Sequence, residues 1–353
     1  MTPRQERALA VARGLGADGV LAADPPTVTW LTGLVVDVES GPSPFALAPL
    51  ALLTPEGPPV VVASEDEADA VAAAGCELVA YPGYTTGSLD PVGSAARSLA
   101  AAAGGRTLAT ELGALPAALA TGLSLVEAGA RIARARAVKD ADELELLRGA
   151  LRLCDVGQRE ARARAAPGIA EIELWGLVRA AVERAAGGRT PLLADLASGE
   201  RTGGTGGPPG ERVVAEGDLV LCDLVPRRGG YWGDSCATFA VGAPAATARE
   251  KHRRASDALA RGLEAIRPGL LAGELDELVR AGLDYPHHTG HGLGTSWHEE
   301  PRIVPGGDTV LEAGMVVALE PAVYADDEGV RVEQVVLVRE DGCELLSGHA
   351  LDL

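Results

Sequence analysis

Residues 285–298 read Tyr-Pro-His-His-Thr-Gly-His-Gly-Leu-Gly-Thr-Ser-Trp-His and hold four of the chain's six histidines: His287, His288, His291 and His298. Imidazole titrates near neutral pH and is the commonest side-chain metal ligand, so crowding carries information that one histidine does not. Gly290, Gly292 and Gly294 suit a backbone that turns tightly or comes close to something bound. A glycine-rich surface turn would look similar, but acidic residues elsewhere argue against it. Asp223 interrupts the apolar run that begins at Leu219, and Asp234 lies between Trp232 and Phe239. Glu320 ends the run 315–319, and Glu333 lies between Val332 and the run 335–338. A carboxylate in such surroundings is expensive unless paired or metal-bound. Carboxylates that share a site repel one another, and a pair of divalent cations removes that repulsion. Four carboxylates with one imidazole form an oxygen-rich ligand set, suited to Mn, Co or Zn and unlike a thiolate zinc site. Two such ions about 3.5–4 Å apart can share a water, lower its pKa and polarise a scissile carbonyl. That is hydrolytic chemistry.

These residues need sheets to hold them. The spacing predicts strands at 218–224 and 231–241, joined across the turn 226–230, and at 315–319, 329–333 and 334–338. Helices are expected at 247–266 and 272–282, just before the histidine stretch. Upstream, 132–165 reads as one helical stretch stopped by Pro167-Gly168, 171–186 as the next helix, and 194–210 as a glycine-rich loop. No Gly-Lys-Ser/Thr follows that loop, so it is not a phosphate cradle. Near the N-terminus, 4–16 reads as an amphipathic helix and 20–23 as a short buried strand. The β-branched and aromatic residues of Thr27–Gly33, running on to Val36, predict a second strand. Short strands at 46–53 and 59–63 and helices at 65–74 and 94–103 complete a small α/β domain. The boundary falls near 125–130, dividing the chain into 1–127 and 128–353.

A chain of 353 residues is long for one core. Its 31 basic and 50 acidic side chains give a net charge of −19, a field that repels phosphate backbones and anionic lipid. Nucleic-acid and membrane-surface roles are therefore not expected. Five widely spaced cysteines without a CxxC fit a reduced, cytoplasmic protein better than a disulfide scaffold. The N-terminal residues lack the apolar core of a signal peptide, and no run approaches the roughly 20 apolar residues of a membrane span.

The order Asp223, Asp234, His291, Glu320, Glu333, with separations of 11 between the aspartates, 29 from histidine to glutamate and 13 between the glutamates, resembles the M24 metallopeptidases. Within that family the chain is most similar to the Xaa-Pro peptidases, prolidase and aminopeptidase P. The strings DLVLCDL, YWGDSCATF, HHTGHGLGTSWHEEP, GMVVALEPAVY and GVRVE carry the resemblance. WLTG at 30–33 and RAVKDADELELLRGA at 136–150 extend it more weakly upstream. It implies a creatinase-like N-terminal α/β domain followed by a pita-bread domain, an α/β (α+β) protein that is often a homodimer. It also implies two divalent ions, Mn first and Co or Zn next. Asp223 would chelate one ion, Asp234 and Glu333 would bridge both, and His291 and Glu320 would complete the second. Glu320 would also take the proton of the bridging water. His298 matches a histidine that stabilises the tetrahedral intermediate, and His287 another pocket histidine. Arg331 matches the arginine two residues before the last ligand. Arg302 matches an arginine that in prolidases helps hold the substrate carboxylate, and a guanidinium fork suits that task. Asp37 and Glu39 are candidates to meet the substrate ammonium group. The implied substrate is a small peptide with proline at its second position.

The resemblance also has gaps. Gly206 stands where these peptidases carry a further pocket histidine, Ser235-Cys236-Ala237-Thr238 replaces a threonine-rich segment, and Gln334 stands where aspartate is common. Such positions tune ligands more than they supply them. Prolidase activity leads because of Arg302, with aminopeptidase P as the alternative. A metal-free creatinase-type hydrolase and a non-catalytic binding protein are disfavoured because all five ligands are present. His252, His288 and His349 read as surface histidines, Cys222 as core, and Tyr324 as either a support of the site or packing.

Overall fold

A computed structural model describes residues 1–39, 43–84, 86–325 and 327–353. The chain forms two compact units, Met1–Arg136 and Ala137–Leu353. In the first, strands β1 (Gly19–Ala22), β2 (Leu50–Leu53), β3 (Val60–Ser64), β4 (Glu77–Tyr81), β5 (Thr107–Thr110) and β6 (Ser124–Glu127) make one mixed sheet in the order β4-β3-β2-β1-β5-β6. Side chains alternate across it, as period two requires. Val20 and Ala22 of β1 join Leu9, Trp30 and Leu53 in one core, while Leu21 joins Leu52, Val62 and Leu99 in the other. Helices α1 (Pro3–Gly14), α2 (Pro25–Thr32), α3 (Ala68–Ala73), α4 (Pro91–Ala103), α5 (Ala117–Ala120) and α6 (Gly129–Ala137) alternate with the strands.

α2 replaces the strand expected over Thr27–Gly33. The two prolines that look like a break before a strand are the first residues of a helix, where the fixed φ of proline is already helical and its missing N–H is not needed. Gly33 ends the helix at φ 77°. Burial of Val28, Trp30 and Leu31 overrides the β preference of this threonine-rich segment.

In the second unit, α7 (Ala141–Arg164) and α8 (Glu171–Ala186) cover a sheet of β7 (Leu192–Ser198), β8 (Leu219–Arg228), β9 (Tyr231–Trp232) and β10 (Ser235–Ala240), in the order β10-β8-β7 with β9 on β8. Leu153, Leu174, Val178, Leu196, Cys222 and Leu224 form the core between them. The continuous helix expected over 132–165 is broken at 138–140, because Asp140 caps α7 in a reciprocal capping box with Glu143 and Val138 bridges to Met315. β7 corrects the loop expected from residue 194. Its weak strand formers are held by pairing with β8, where Leu196 faces Cys222 and Asp195 faces Asp223.

After α9 (Ala246–Ala265) and α10 (Ala272–Arg280) come β11 (Gly290–Gly292), β12 (Glu299–Ile303), β13 (Val316–Leu319), β14 (Ala322–Ala325), β15 (Glu328–Arg331), β16 (Gln334–Arg339) and β17 (Gly342–Leu345). The order β12-β11-β13-β16-β17 forms a second sheet, and β14 and β15 form a hairpin. Val317 and Leu319 face α9 and α10, while Val316 and Ala318 face Leu147 and Leu151 of α7. β13 is therefore apolar on both faces, and the residue that follows it is Glu320.

Candidate functional site

The carboxylates are placed by the sheets. Asp223 lies on β8, paired with Cys236 on β10, and by alternation it points away from the core that holds Cys222. Asp234 stands between β9 and β10, and Glu333 between β15 and β16, its N–H donating to the Cys236 carbonyl at 2.9 Å. Glu320 follows β13, its N–H donating to the Thr289 carbonyl at 2.9 Å. His291 lies on β11 opposite Ala318. Its Nδ1 donates to the Gly292 carbonyl at 2.9 Å, which leaves Nε2 as a lone-pair donor. That nitrogen is 3.5 Å from Asp234 Oδ2 and 3.6 Å from Glu320 Oε1. Ligand atoms of Asp234, His291 and Glu333 lie within 4.8 Å of one another.

This set fits a divalent metal. Among the described residues, Asp223 Oδ1 and Glu333 Oε1 are buried carboxylate oxygens with no hydrogen-bond partner. A metal ligand needs that kind of lone pair, and otherwise the burial would be costly. Burial lifts the Asp234 and Glu333 carboxyls well above the usual carboxylate range, and neighbouring carboxylates add to it. Burial likewise pushes Asp223 up to about 6 against the pull of Arg331. Glu320 differs: burial raises it, but the His288 hydrogen bond and the charge of Arg331 outweigh that and hold it at about 2.

A cavity of about 450 Å³ opens over these groups, lined by Asp223, His287, His288, His298, Glu320 and Arg331 among others. Arg331 is buried at its edge, paired with Asp223 and 3.9 Å from both Asp195 Oδ2 and Glu320 Oε2. Arg331 also donates to the Tyr324 hydroxyl at 3.1 Å. His287 Nδ1 donates to the His288 carbonyl at 2.8 Å, so its Nε2, 3.0 Å from the Tyr324 hydroxyl, accepts from it. Tyr324 thus supports the site and links His287 to Arg331. Desolvation, then the imidazoles of His291 and His288, lower the pKa of His298 at the partly open mouth of the cavity.

Three expectations change. His288 is not a surface residue: it lines the cavity with Nε2 2.7 Å from Glu320 Oε1. Outside regular secondary structure, no periodicity shows which way a side chain faces. His349 is buried, with Nδ1 3.9 Å from Asp155 Oδ1. His252 is half-buried, its Nε2 donating to the Leu351 carbonyl. Arg302 pairs with His291 across β11 and β12; its side chain is exposed and not among the cavity-lining residues, but its charge reaches His298 at the cavity mouth. Asp37 belongs to the first unit, where it is exposed and accepts from the Glu39 N–H at 2.9 Å. At Gly206, φ is 132° and a Cβ would collide with the Asp195 carboxylate.

The contacts that hold the histidine segment leave little trace in the sequence. From α10, Arg280 donates to the carbonyls of Tyr285 and His287, both at 2.8 Å, and its guanidinium lies 4.0 Å from the centroid of the Tyr285 ring. Asp276, one turn earlier, pairs with Arg280 at 3.2 Å and accepts from the Thr289 hydroxyl. Thr289 in turn accepts from the Tyr285 hydroxyl at 2.7 Å. The available signal was an Asp and an Arg four residues apart on the helix that precedes the histidines.

The model of metallopeptidase family M24 matches residues 145–340. The chain belongs to that family. It is similar to a probable dipeptidase PepE of Mycobacterium tuberculosis, 40% identical over 141 residues, or 37% of this chain and 38% of that protein. It is also similar to an Xaa-Pro dipeptidase of Pyrococcus furiosus, 37% identical over 160 residues, or 43% of this chain and 46% of that protein. These matches span less than half the length of either relative. The solved structure of an Xaa-Pro dipeptidase from Bacillus anthracis aligns over 99% of both chains, with a TM-score of 0.83 at 24% identity. That likeness concerns the fold, and it bears out the expected α/β class with a pita-bread portion.

Proposed function

We propose that this M24 member is a dinuclear-metal-dependent Xaa-Pro dipeptidase, a prolidase. The observation that carries the reading is His291 Nε2, freed by the Nδ1 bond to Gly292, facing Asp234 and Glu320 beside the unpartnered oxygens of Asp223 and Glu333. Asp223 would hold one ion, Asp234 and Glu333 both, and His291 and Glu320 the second, with Mn the first choice for so many oxygen ligands. Bound there, the ions supply a water of lowered pKa and a Lewis acid for the carbonyl.

The rest is work for the chain itself. Glu320 is held ionised and oriented by His288, so it can accept the proton that the attacking water gives up. His298 offers an N–H to charge developing on the carbonyl oxygen. Tyr324, bonded to Arg331 and His287, fixes the His287 ring with Nδ1 protonated. Arg331 offsets carboxylate charge from its buried position, and Arg302 would be the cation that meets the free carboxylate of a dipeptide. Five unpaired thiols accord with work in a reducing compartment.

The test is metal-stripped protein titrated with Mn²⁺ and assayed on an Xaa-Pro dipeptide beside an Xaa-Pro-Xaa tripeptide. Rapid cleavage of the dipeptide alone is expected. Preference for the tripeptide would make the chain an aminopeptidase P, and no metal-dependent turnover on either would end the Xaa-Pro reading.

A further inference from the structure

His288, His291 and His298 each turn a ring nitrogen into a common space. The three donor atoms lie within 4.8 Å of one another. Their ring centroids are 5.2 Å apart for His288 and His291, 4.9 Å for His288 and His298, and 4.0 Å for His291 and His298. Of the three, only His291 belongs to the carboxylate set, where Asp234, His291 and Glu333 form a second group of the same tightness. His291 therefore stands where two donor sets of different chemistry meet. One is oxygen-rich, and the other is all nitrogen. Carboxylates suit Mn, whereas imidazoles suit Cu, Ni and Zn. Imidazole nitrogens bind zinc at about 2.0–2.1 Å, so the three rings would draw in from their present spacing to share one ion.

We infer that His288, His291 and His298 form an all-imidazole cation site, selective for Cu²⁺, Ni²⁺ or Zn²⁺ over Mn²⁺, whose occupation excludes a complete carboxylate centre. The exclusion follows because both sets draw on His291, and a cation held by His288 would contest the Glu320 carboxylate that lies 2.7 Å from its Nε2. Only this competition rests on the proposed peptidase centre; binding by three imidazoles does not. An excess of a nitrogen-preferring cation would then block the cavity and withdraw a ligand in one event.

The probe is Cu²⁺ added to the metal-stripped full chain, followed by its visible band and by nitrogen hyperfine structure in electron paramagnetic resonance. Wild type and Glu333→Gln are expected to bind one Cu²⁺ with a three-nitrogen signature and similar affinity. His288→Gln is expected to weaken binding by about tenfold or more and to lose one nitrogen. His298→Gln should do the same, and it serves if the first variant fails to fold by circular dichroism. An unchanged signature in both histidine variants, or its loss in Glu333→Gln, would overturn the site. A protein that binds Cu²⁺ as expected yet never cleaves an Xaa-Pro peptide with Mn²⁺ would refute the peptidase reading and leave this one standing.

Discussion

Asp223 and Glu320 are placed by sheets, one within a strand and the other directly after one, with apolar cores behind those strands. His287 and His288 lie outside regular structure, on a segment held through its carbonyls by Arg280 and through Thr289 by Asp276. One wall of the cavity is thus set by backbone pairing, and the other by a few side chains of a neighbouring helix. A sheet fixes position by many weak bonds, so one change shifts little but the charges it carries are committed. A tether concentrates positioning in one guanidinium, and its loss is felt at a distance.

Glu333→Gln attacks the first wall and has the largest expected effect. Metal affinity should fall by more than the roughly 100-fold that loss of an outer-sphere partner costs, measured by metal content after dialysis, with activity falling alongside. His298→Gln leaves the ligand set whole, so kcat should fall by about 10²–10³ with metal content retained. Arg280→Met tests the second wall without touching a reacting group. A misplacement of about 1 Å can cost 100-fold, so kcat should drop on that order while bound metal stays near the wild-type level. If Arg280→Met instead loses metal as Glu333→Gln does, the two walls are one unit and the contrast fails.

The smallest effect is on stability. Asp223, Asp234 and Glu333 have folded-state pKa values raised by burial. Above the unfolded carboxylate value of about 4, the folded protein therefore holds protons that the unfolded chain releases. Stability falls as pH rises through that window, through about 6 where Asp223 ionises and beyond for the other two. The lowered pKa values of His287, His291, His298 and His349 act the other way below about pH 6.5, because those rings stay neutral in the fold and take up protons when unfolded. Metal-stripped wild type should therefore lose melting temperature relative to Asp223→Asn between pH 5 and pH 8, a comparison that cancels the histidines, and Mn²⁺ should close the gap. Parallel melting curves for the two proteins would show that Asp223 is not held at a cost.

The same contrast explains what could be read in the sequence. Asp223 and Glu320 stood out because a charge beside a long apolar run is conspicuous, and the double-faced burial of β13 makes the run apolar throughout. The histidines stood out by number, but their directions did not. A loop offers no period to count by, so nothing in the sequence shows that His288 faces the cavity. Arg280 and Asp276 were invisible because an ion pair on an amphipathic helix has the same pattern whether it faces water or clamps a loop. α2 departs from the strand that its threonines predict because tertiary burial outweighs their strand preference. β7 is hard to see in the sequence because pairing with β8, more than its own residues, makes it a strand.

Gly206 bears on how such a site can change over generations. A histidine introduced there would find its Cβ in the place of the Asp195 carboxylate, on a backbone at φ 132° that side chains other than glycine rarely adopt. Position 206 is therefore not an independent letter that one substitution can restore. A side chain there needs the partly exposed Asp195 carboxylate to swing aside, and it also needs the backbone to leave its present φ, which no change at Asp195 would relieve.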